Sequence, residues 1–477
     1  MAAQHSSKIL IVGSGVFGIS TALWLAQSGY RDITVFDMQD TYSSGYDPYA
    51  GVDSASADLN KIIRFSYGDE IEYQRLAFEA AKLWEEWNQQ IATTNNDELP
   101  EVLRQGSKKL WWNCGYLRMS VTGEYDEFEL TTLENMKKDG IRDTQFMVDD
   151  DSDVQRAKQG GWDHKLDPCR KLERFGVHKA VLDSSAGFVV AYKSCAWAQH
   201  LARKAGVKFV LDPIRGKVVN IGTDVNGRPV VETEDKQTHE ADLVIVSGGG
   251  WTPGLVPETE GLLETTAGSV ATIHIPEDRP DLRERFSPEN FPVITWSKAK
   301  GIYALPMTEE GDFKIGYRRT KYTNFERVGG RRISVPKTAH VTAEKESNIT
   351  RQALEAVKEF VSANTPELAE LGISSTKLCW YTDSIDNSFV VDFVPGKPGV
   401  LVCSGGSGHG FKFLPILGRE VVKIIESRDR DGVYAQMWKW RESDRPARNG
   451  LEEGEAGPRV LAKQSMASNR DWAISGL

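Results

Sequence analysis

Short unbroken apolar runs dominate the beginning of the chain and recur late in it, with polar, helix-spaced stretches between them. The first run, Lys8-Ile9-Leu10-Ile11-Val12, predicts a buried parallel strand, because a strand covered on both faces loses the in–out alternation. Residues 19–28 follow with Ala22, Leu23, Leu25 and Ala26 on one helical face, Gly29 ends that helix, and residues 32–36 form a second strand closing on Asp37. Residues 73–87 put Leu76, Ala77, Ala80, Leu83, Trp84 and Trp87 at helical spacing. A strand pair or bent strand is expected at 110–119, a helix around 130–136, a helix at 194–206 and a strand at 207–211. Strands at 216–221 and 229–233 flank a hairpin, and 241–246 is another buried strand. Strands are expected at 293–297, 301–307 and 312–317, then a helix over 348–363 with Ser347 as its N-cap. Strands at 378–382, 389–393 and 400–403 precede a helix over 411–427 and a charged tail, surface-draped or partly mobile.

Parallel-sheet character thus returns more than 150 residues after it is left, so one nucleotide-type sheet is assembled from separated segments. Bulk properties add exclusions. The 477 residues suffice for two or three domains. A net charge of −10 argues against non-specific nucleic-acid binding. No apolar run is long enough to span a membrane, and the early first strand leaves no room for a signal peptide. Five scattered cysteines without close pairing suit a reducing compartment and disfavour a disulfide framework or a metal site. The sequon Asn348-Ile349-Thr350 reads as a helix start.

Between the first strand and its helix lie Gly13, Ser14, Gly15, Val16, Phe17 and Gly18. This spacing is the dinucleotide fingerprint. The first glycine allows a tight turn, the second lets a pyrophosphate approach the backbone, and the third lets helix and sheet pack closely. The helix N-terminus offers unpaired N–H groups to phosphate. Asp37 stands at the second strand's end to accept from a ribose. NAD and FAD remain open at this point. A second glycine loop, Gly405-Gly406-Ser407-Gly408-His409-Gly410, lies between a strand and a helix, and its N–H groups would face an electron-rich ligand edge.

Seven stretches in order carry a resemblance: GSGVFG, DLNKIIR, ADLVIVSGGGW, GIYALP, FKIGYR, LCWYTDSIDNSFVVD and SGGSGHGFKFLP. With them the chain resembles the FAD-dependent amine oxidases, the family of monomeric sarcosine oxidase, pipecolate oxidase and the fructosyl amino acid oxidases (amadoriases), with features of the fungal branch. The resemblance implies an α/β fold of glutathione-reductase or D-amino-acid-oxidase type. A Rossmann-like FAD-binding domain would comprise 1–95, 185–255 and 375–430, and an α+β substrate domain with a mainly antiparallel sheet 96–184 and 256–374. Residues 431–477 would form the tail.

It also implies roles. Cys379 would link covalently to the flavin, and Lys314 would stabilise superoxide as O₂ takes an electron. Arg64 and Lys412 would hold a substrate carboxylate, with Tyr303 and Tyr381 lining the pocket. Asn60, Lys61, Val218, Gly249, Gly408, Gly410, Phe411 and Lys412 would join the fingerprint, Asp37 and Cys379 around FAD. No metal is expected. Lys61 replaces an arginine of sarcosine oxidase, and Arg318 stands where that enzyme has a histidine, which points away from sarcosine as substrate. The expected reaction is oxidation of a carboxylate-bearing secondary amine by O₂, yielding H₂O₂. Candidate substrates are fructosyl amino acids or peptides, N-methyl amino acids, pipecolate and saccharopine. The alternatives are a NAD(P)-dependent dehydrogenase and a flavin-binding sensor without turnover. A monomer in the cytoplasm or peroxisome is expected; Ser475-Gly476-Leu477 resembles a peroxisomal signal without its central basic residue.

Overall fold

The strand Lys8–Val12 lies inside a six-stranded sheet ordered Val390–Phe393, Val400–Ser404, Leu243–Val246, Lys8–Val12, Asp32–Asp37 and Lys208–Leu211. All neighbours in it run parallel except the first pair. The computed structural model describes residues 4–49, 54–296, 300–337, 349–426, 431–442 and 451–474. Ser297, Ser347, Asn348, Ser427 and Ser475-Gly476-Leu477, to which readings above were attached, lie outside them. The helix Val16–Gln27 is covered on nearly every side, which explains its apolar character all round. At Gly418 the helix Leu417–Ile425 comes so near that an added Cβ would lie 2.0 Å from the Ser20 carbonyl oxygen.

A second sheet has eight strands, in the order Ser375–Ser384, Leu263–His274, Asp312–Tyr322, Ile302–Leu305, Val293–Trp296, Tyr116–Met119, Ala180–Asp183 and Gln145–Met147. Only Val293–Trp296 and Tyr116–Met119 pair in parallel. The helix Arg351–Asn364 packs its apolar face into this sheet's core. A small third sheet pairs Asn60–Ile63 with Gly187–Val190 and Trp111–Trp112. The fold is mixed α/β, with a mainly parallel and a mainly antiparallel sheet.

Four expectations need correction. The strand Ser375–Ser384, assigned above to the nucleotide-binding segments, belongs to the eight-stranded sheet, held by a ten-residue ladder to Leu263–His274. That partner strand is announced by no periodicity: it is buried on both faces, and Thr265, Thr266 and Thr272 satisfy their hydroxyls on Gly250 O, Asp383 and Ser375. The helix expected from 411 begins at Leu417, after a 3-10 turn over Phe411–Phe413, because Pro415 has no N–H with which to continue it. Thr350 caps Arg351–Asn364, its hydroxyl accepting from Ala353 N at 3.1 Å. The tail, for its part, is pinned to the body. Trp438 is fully buried and donates to Tyr73 Oη at 3.0 Å, and Leu461 is buried in the second core.

Among the described residues, no helix is long and apolar enough to cross a membrane, and no group of three His, Cys, Asp or Glu side chains could hold a metal. The five cysteines are free and buried.

Candidate active site

A cavity of about 570 Å³ runs between the two large sheets, lined at one end by Gly13 to Phe17 and Asp37 and at the other by Lys314, Cys379 and Lys412. At the first end the backbone sets the shape. Gly13 has φ +106°, and a Cβ there would stand 2.4 Å from Ser247 O; at Gly18 it would stand 1.9 Å from Gly13 O. No other residue type fits either place. Asp37 accepts from Ser14 N at 2.7 Å, Ser14 Oγ at 3.0 Å and Gln39 N at 2.9 Å. A carboxylate offers about four acceptor positions, so one remains for a ligand hydroxyl. Burial raises the Asp37 carboxyl above its ordinary range, against those hydrogen bonds. Ser56 was missed by sequence reasoning. Its hydroxyl accepts from Val16 N at 3.1 Å and so caps the fingerprint helix from 40 residues away. Val218 and Gly249 line the same cavity.

At the other end, charge replaces backbone. Lys314 donates to Asp58 Oδ2 at 2.7 Å and to Asn60 O at 2.8 Å, while Lys61 donates to the same carboxylate oxygen at 2.6 Å and reaches Cys379 Sγ at 3.7 Å. Asp58, quoted in a motif but given no role above, is therefore the hub of this cluster. Burial opposes its ionisation, but Lys314, Lys61 and Lys377 outweigh burial and hold its carboxyl below the usual range. The two lysines respond differently. For Lys61, burial is outweighed by Asp58 and the group is held above its ordinary value. For Lys314, burial dominates and pushes the ammonium down to about 8. Its side chain is 1% exposed against 18% for Lys61, and it also faces the Lys61 charge.

Arg64 and Lys412, 348 residues apart, converge on Tyr67. The Arg64 guanidinium donates to Ser66 O and lies 4.4 Å from the Tyr67 ring centre; Lys412 Nζ donates to Tyr67 Oη at 2.7 Å. Tyr67 Oη is 3.1 Å from His409 Nδ1, and His409 Nε2 is 2.8 Å from Asn387 O. The carbonyl requires the proton on Nε2, so Nδ1 accepts from Tyr67, whose own oxygen accepts from Lys412. Burial, with Lys412, Arg64 and Arg318 nearby, keeps His409 well below its ordinary value and neutral. Burial, then Arg64 and Arg318, also lowers Lys412 well below the usual lysine range; a carboxylate bound between them would reverse that shift.

Tyr303 stands over Gly316 of the neighbouring strand, where a Cβ would meet its ring at 2.0 Å. Tyr381 packs with Cys379 and Val270. In the second glycine loop, Ser407, His409 and Gly410 turn their N–H groups inward, onto Thr382 O and Gly406 O. Phe411 and Lys412 head the 3-10 turn that follows, where the first N–H groups lack partners within the turn. Gly408 and Gly410 line the cavity and also supply clearance, for Arg318 and Phe17 respectively.

A family model described as FAD dependent oxidoreductase matches residues 8–424. L-saccharopine oxidase of Schizosaccharomyces pombe is 28% identical, over 92% of this chain and 94% of that protein. N-methyl-L-tryptophan oxidase of Salmonella typhi is 25% identical, over 86% and 92%. Among solved structures, fructosyl peptide oxidase from E. terrenum superposes with a TM-score of 0.76 at 22% identity, over 98% of this chain and 100% of that one.

Proposed function

The chain belongs to the FAD dependent oxidoreductase family, and from that premise we propose that it is an oxidase of carboxylate-bearing secondary amines. The observation that carries this reading is the meeting of Arg64 and Lys412 on Tyr67, in the same cavity as the fingerprint glycines and Cys379. The residues fit FAD: the backbone of Gly13 to Phe17 lines the cavity, and Asp37 keeps an acceptor position beside it.

A bound flavin would supply the two-electron chemistry, oxidation of the C–H beside the amine nitrogen coupled to reduction of O₂ to H₂O₂. Arg64 offers a planar two-donor fork and Lys412 a point charge, so together they fix an α-carboxylate in one orientation. Tyr67 holds both cations and, through His409, is itself held. The amine reacts as its neutral form, because the cations around it and the exclusion of water lower its proton affinity. Lys314 keeps a positive charge beside Cys379, where reduced oxygen accumulates negative charge. The imine product takes up water and separates into a carbonyl compound and an amine. A thioether from Cys379 to the flavin is part of this reading, with Lys61 Nζ lying 3.7 Å from that sulfur. The relatives act on saccharopine and N-methyl-tryptophan by name, which supports a secondary amino acid as substrate.

A peroxide-coupled screen from N-methyl amino acids through pipecolate and saccharopine to fructosyl peptides tests the activity. At least one should yield H₂O₂ and bleach the flavin under nitrogen. If none bleaches it while their carboxylate-free amine analogues do, the reading is wrong. Acid-denatured protein should stay yellow and Cys379→Ala protein should not; release of all flavin from the unaltered protein would remove the covalent link.

A further inference from the structure

Arg318 is a third cation at the substrate end. It comes from the strand Asp312–Tyr322, so neither of the segments carrying Arg64 and Lys412 supplies it. Its Nη1 donates to Gly408 O at 3.0 Å and its Nη2 to Ser407 O at 3.2 Å, and its guanidinium lies 5.5 Å from the Tyr381 ring centre. Two carbonyls and a ring thus fix the group in place. Its Nε and Tyr381 Oη are buried and make no hydrogen bond of normal geometry, the two side chains interacting only loosely with each other, and both residues line the cavity. Gly408 is spared a side chain exactly where this guanidinium passes, since a Cβ there would fall 2.1 Å from Nη2.

Charge is unbalanced around it. Among the described residues, Arg64, Lys412 and Arg318 have no carboxylate within ion-pair distance. Asp58 is taken by Lys61 and Lys314, and Asp383, whose charge acts on Arg318, is paired with Lys321 at 2.8 Å. Partly buried cations without counter-ions favour an anionic ligand that completes them. One α-carboxylate satisfies the Arg64–Lys412 pair and leaves the Nε edge of Arg318, a two-donor face once Nη2 contributes its second hydrogen.

We propose, on the amine-oxidase reading above, that Arg318 is a specificity-determining residue and that the preferred substrate carries a second carboxylate. Its class is a secondary amine with a carboxylate on each of its two arms. The α-carboxylate lies on Arg64 and Lys412, and the other arm reaches Arg318.

Matched pairs test this: N-carboxyalkyl against N-alkyl derivatives of one L-amino acid, with arms of one to four carbons. For at least one arm length, kcat/KM of the dicarboxylate should exceed that of its N-alkyl partner tenfold or more. In Arg318→Leu that ratio should fall at least tenfold, with Arg318→Lys recovering part of it. Binding is read separately, by perturbation of the flavin spectrum with unoxidisable ethers. Diglycolate and its longer-armed dicarboxylate homologues should include one that binds the unaltered protein at least tenfold tighter than its alkoxyacetate partner. The inference is overturned if no arm length prefers the dicarboxylate, or if the ratio survives in Arg318→Leu. If Arg318→Leu does not fold, absence of a dicarboxylate advantage in the ether titration overturns it alone. If no amine of either set reduces the flavin, the amine-oxidase reading fails as well; if only the N-alkyl set does, the second-carboxylate inference fails alone.

Discussion

The two ends of the cavity are built on different principles. At the fingerprint end, the turn is held in shape by main-chain packing that leaves no room for a side chain at Gly13 or Gly18, with one carboxylate beside it. At the chemical end it consists of side chains from five separate segments, arranged around Asp58 and Tyr67. A backbone cradle is written in one contiguous stretch, whereas a charge constellation is assembled by sheet register. The first should therefore tolerate no added atom, and the second should respond in graded, separable ways.

Four changes probe that contrast. Gly18→Val places carbon where Gly13 O already stands, so purified protein should hold no FAD; a normal ratio of flavin to protein absorbance would refute the cradle. Lys314→Met should slow reoxidation by O₂ by about 10²–10³-fold, the usual cost of one well-placed charge-stabilising donor. Its anaerobic reduction by substrate should stay within severalfold, and stopped-flow traces of the two half-reactions separate them. The same charge predicts a pH effect. Lys314 loses its proton above about 8, so reoxidation should slow as pH rises through that value, and a flat profile would exclude the charge from this step. The stability linkage has its own sign. Because the folded value lies below the ordinary 10.5, the unfolded chain binds more protons between about 8 and 10.5, and this group's contribution to stability improves as pH rises across that window.

Asp58→Asn leaves Lys61 and Lys314 facing each other without a counter-charge. Breaking a buried pair this way costs about 3–5 kcal/mol, to be read from the urea midpoint. An unchanged midpoint would show that the cluster is hydrated and unimportant to folding. Smallest of the four, Tyr67→Phe removes one hydroxyl bridging Lys412 and His409. At about 1–2 kcal/mol it should raise KM roughly five- to thirtyfold with little change in reoxidation. An equal fall in both half-reactions would place Tyr67 outside substrate binding.

Legibility follows the same division. The fingerprint, its strands and Asp37 could be read locally because each glycine answers a local steric demand. Arg64, Lys412, Lys314 and Cys379 were visible only through a resemblance; nothing in their neighbourhoods distinguishes them from surface cations or a buried thiol. Asp58 and Tyr67 stood near or inside quoted motifs, yet their roles depend on partners hundreds of residues away. The strand Leu263–His274 went unread because threonine and serine satisfied across a sheet look like loop residues. Pro415 was a signal that could have been used, since it forbids the helix expected around it.

The short run from Ser56 to Arg64 has contacts at both ends of the cavity. Ser56 holds the helix at the fingerprint end, and at the other end Asp58 and Asn60 hold Lys314 while Arg64 leans on Tyr67. It acts as a ruler laid beside the ligand, with its graduations fixed by the pairing of Asn60–Ile63 to Gly187–Val190. Insertion or deletion of a single residue within it would displace one end's contacts relative to the other's.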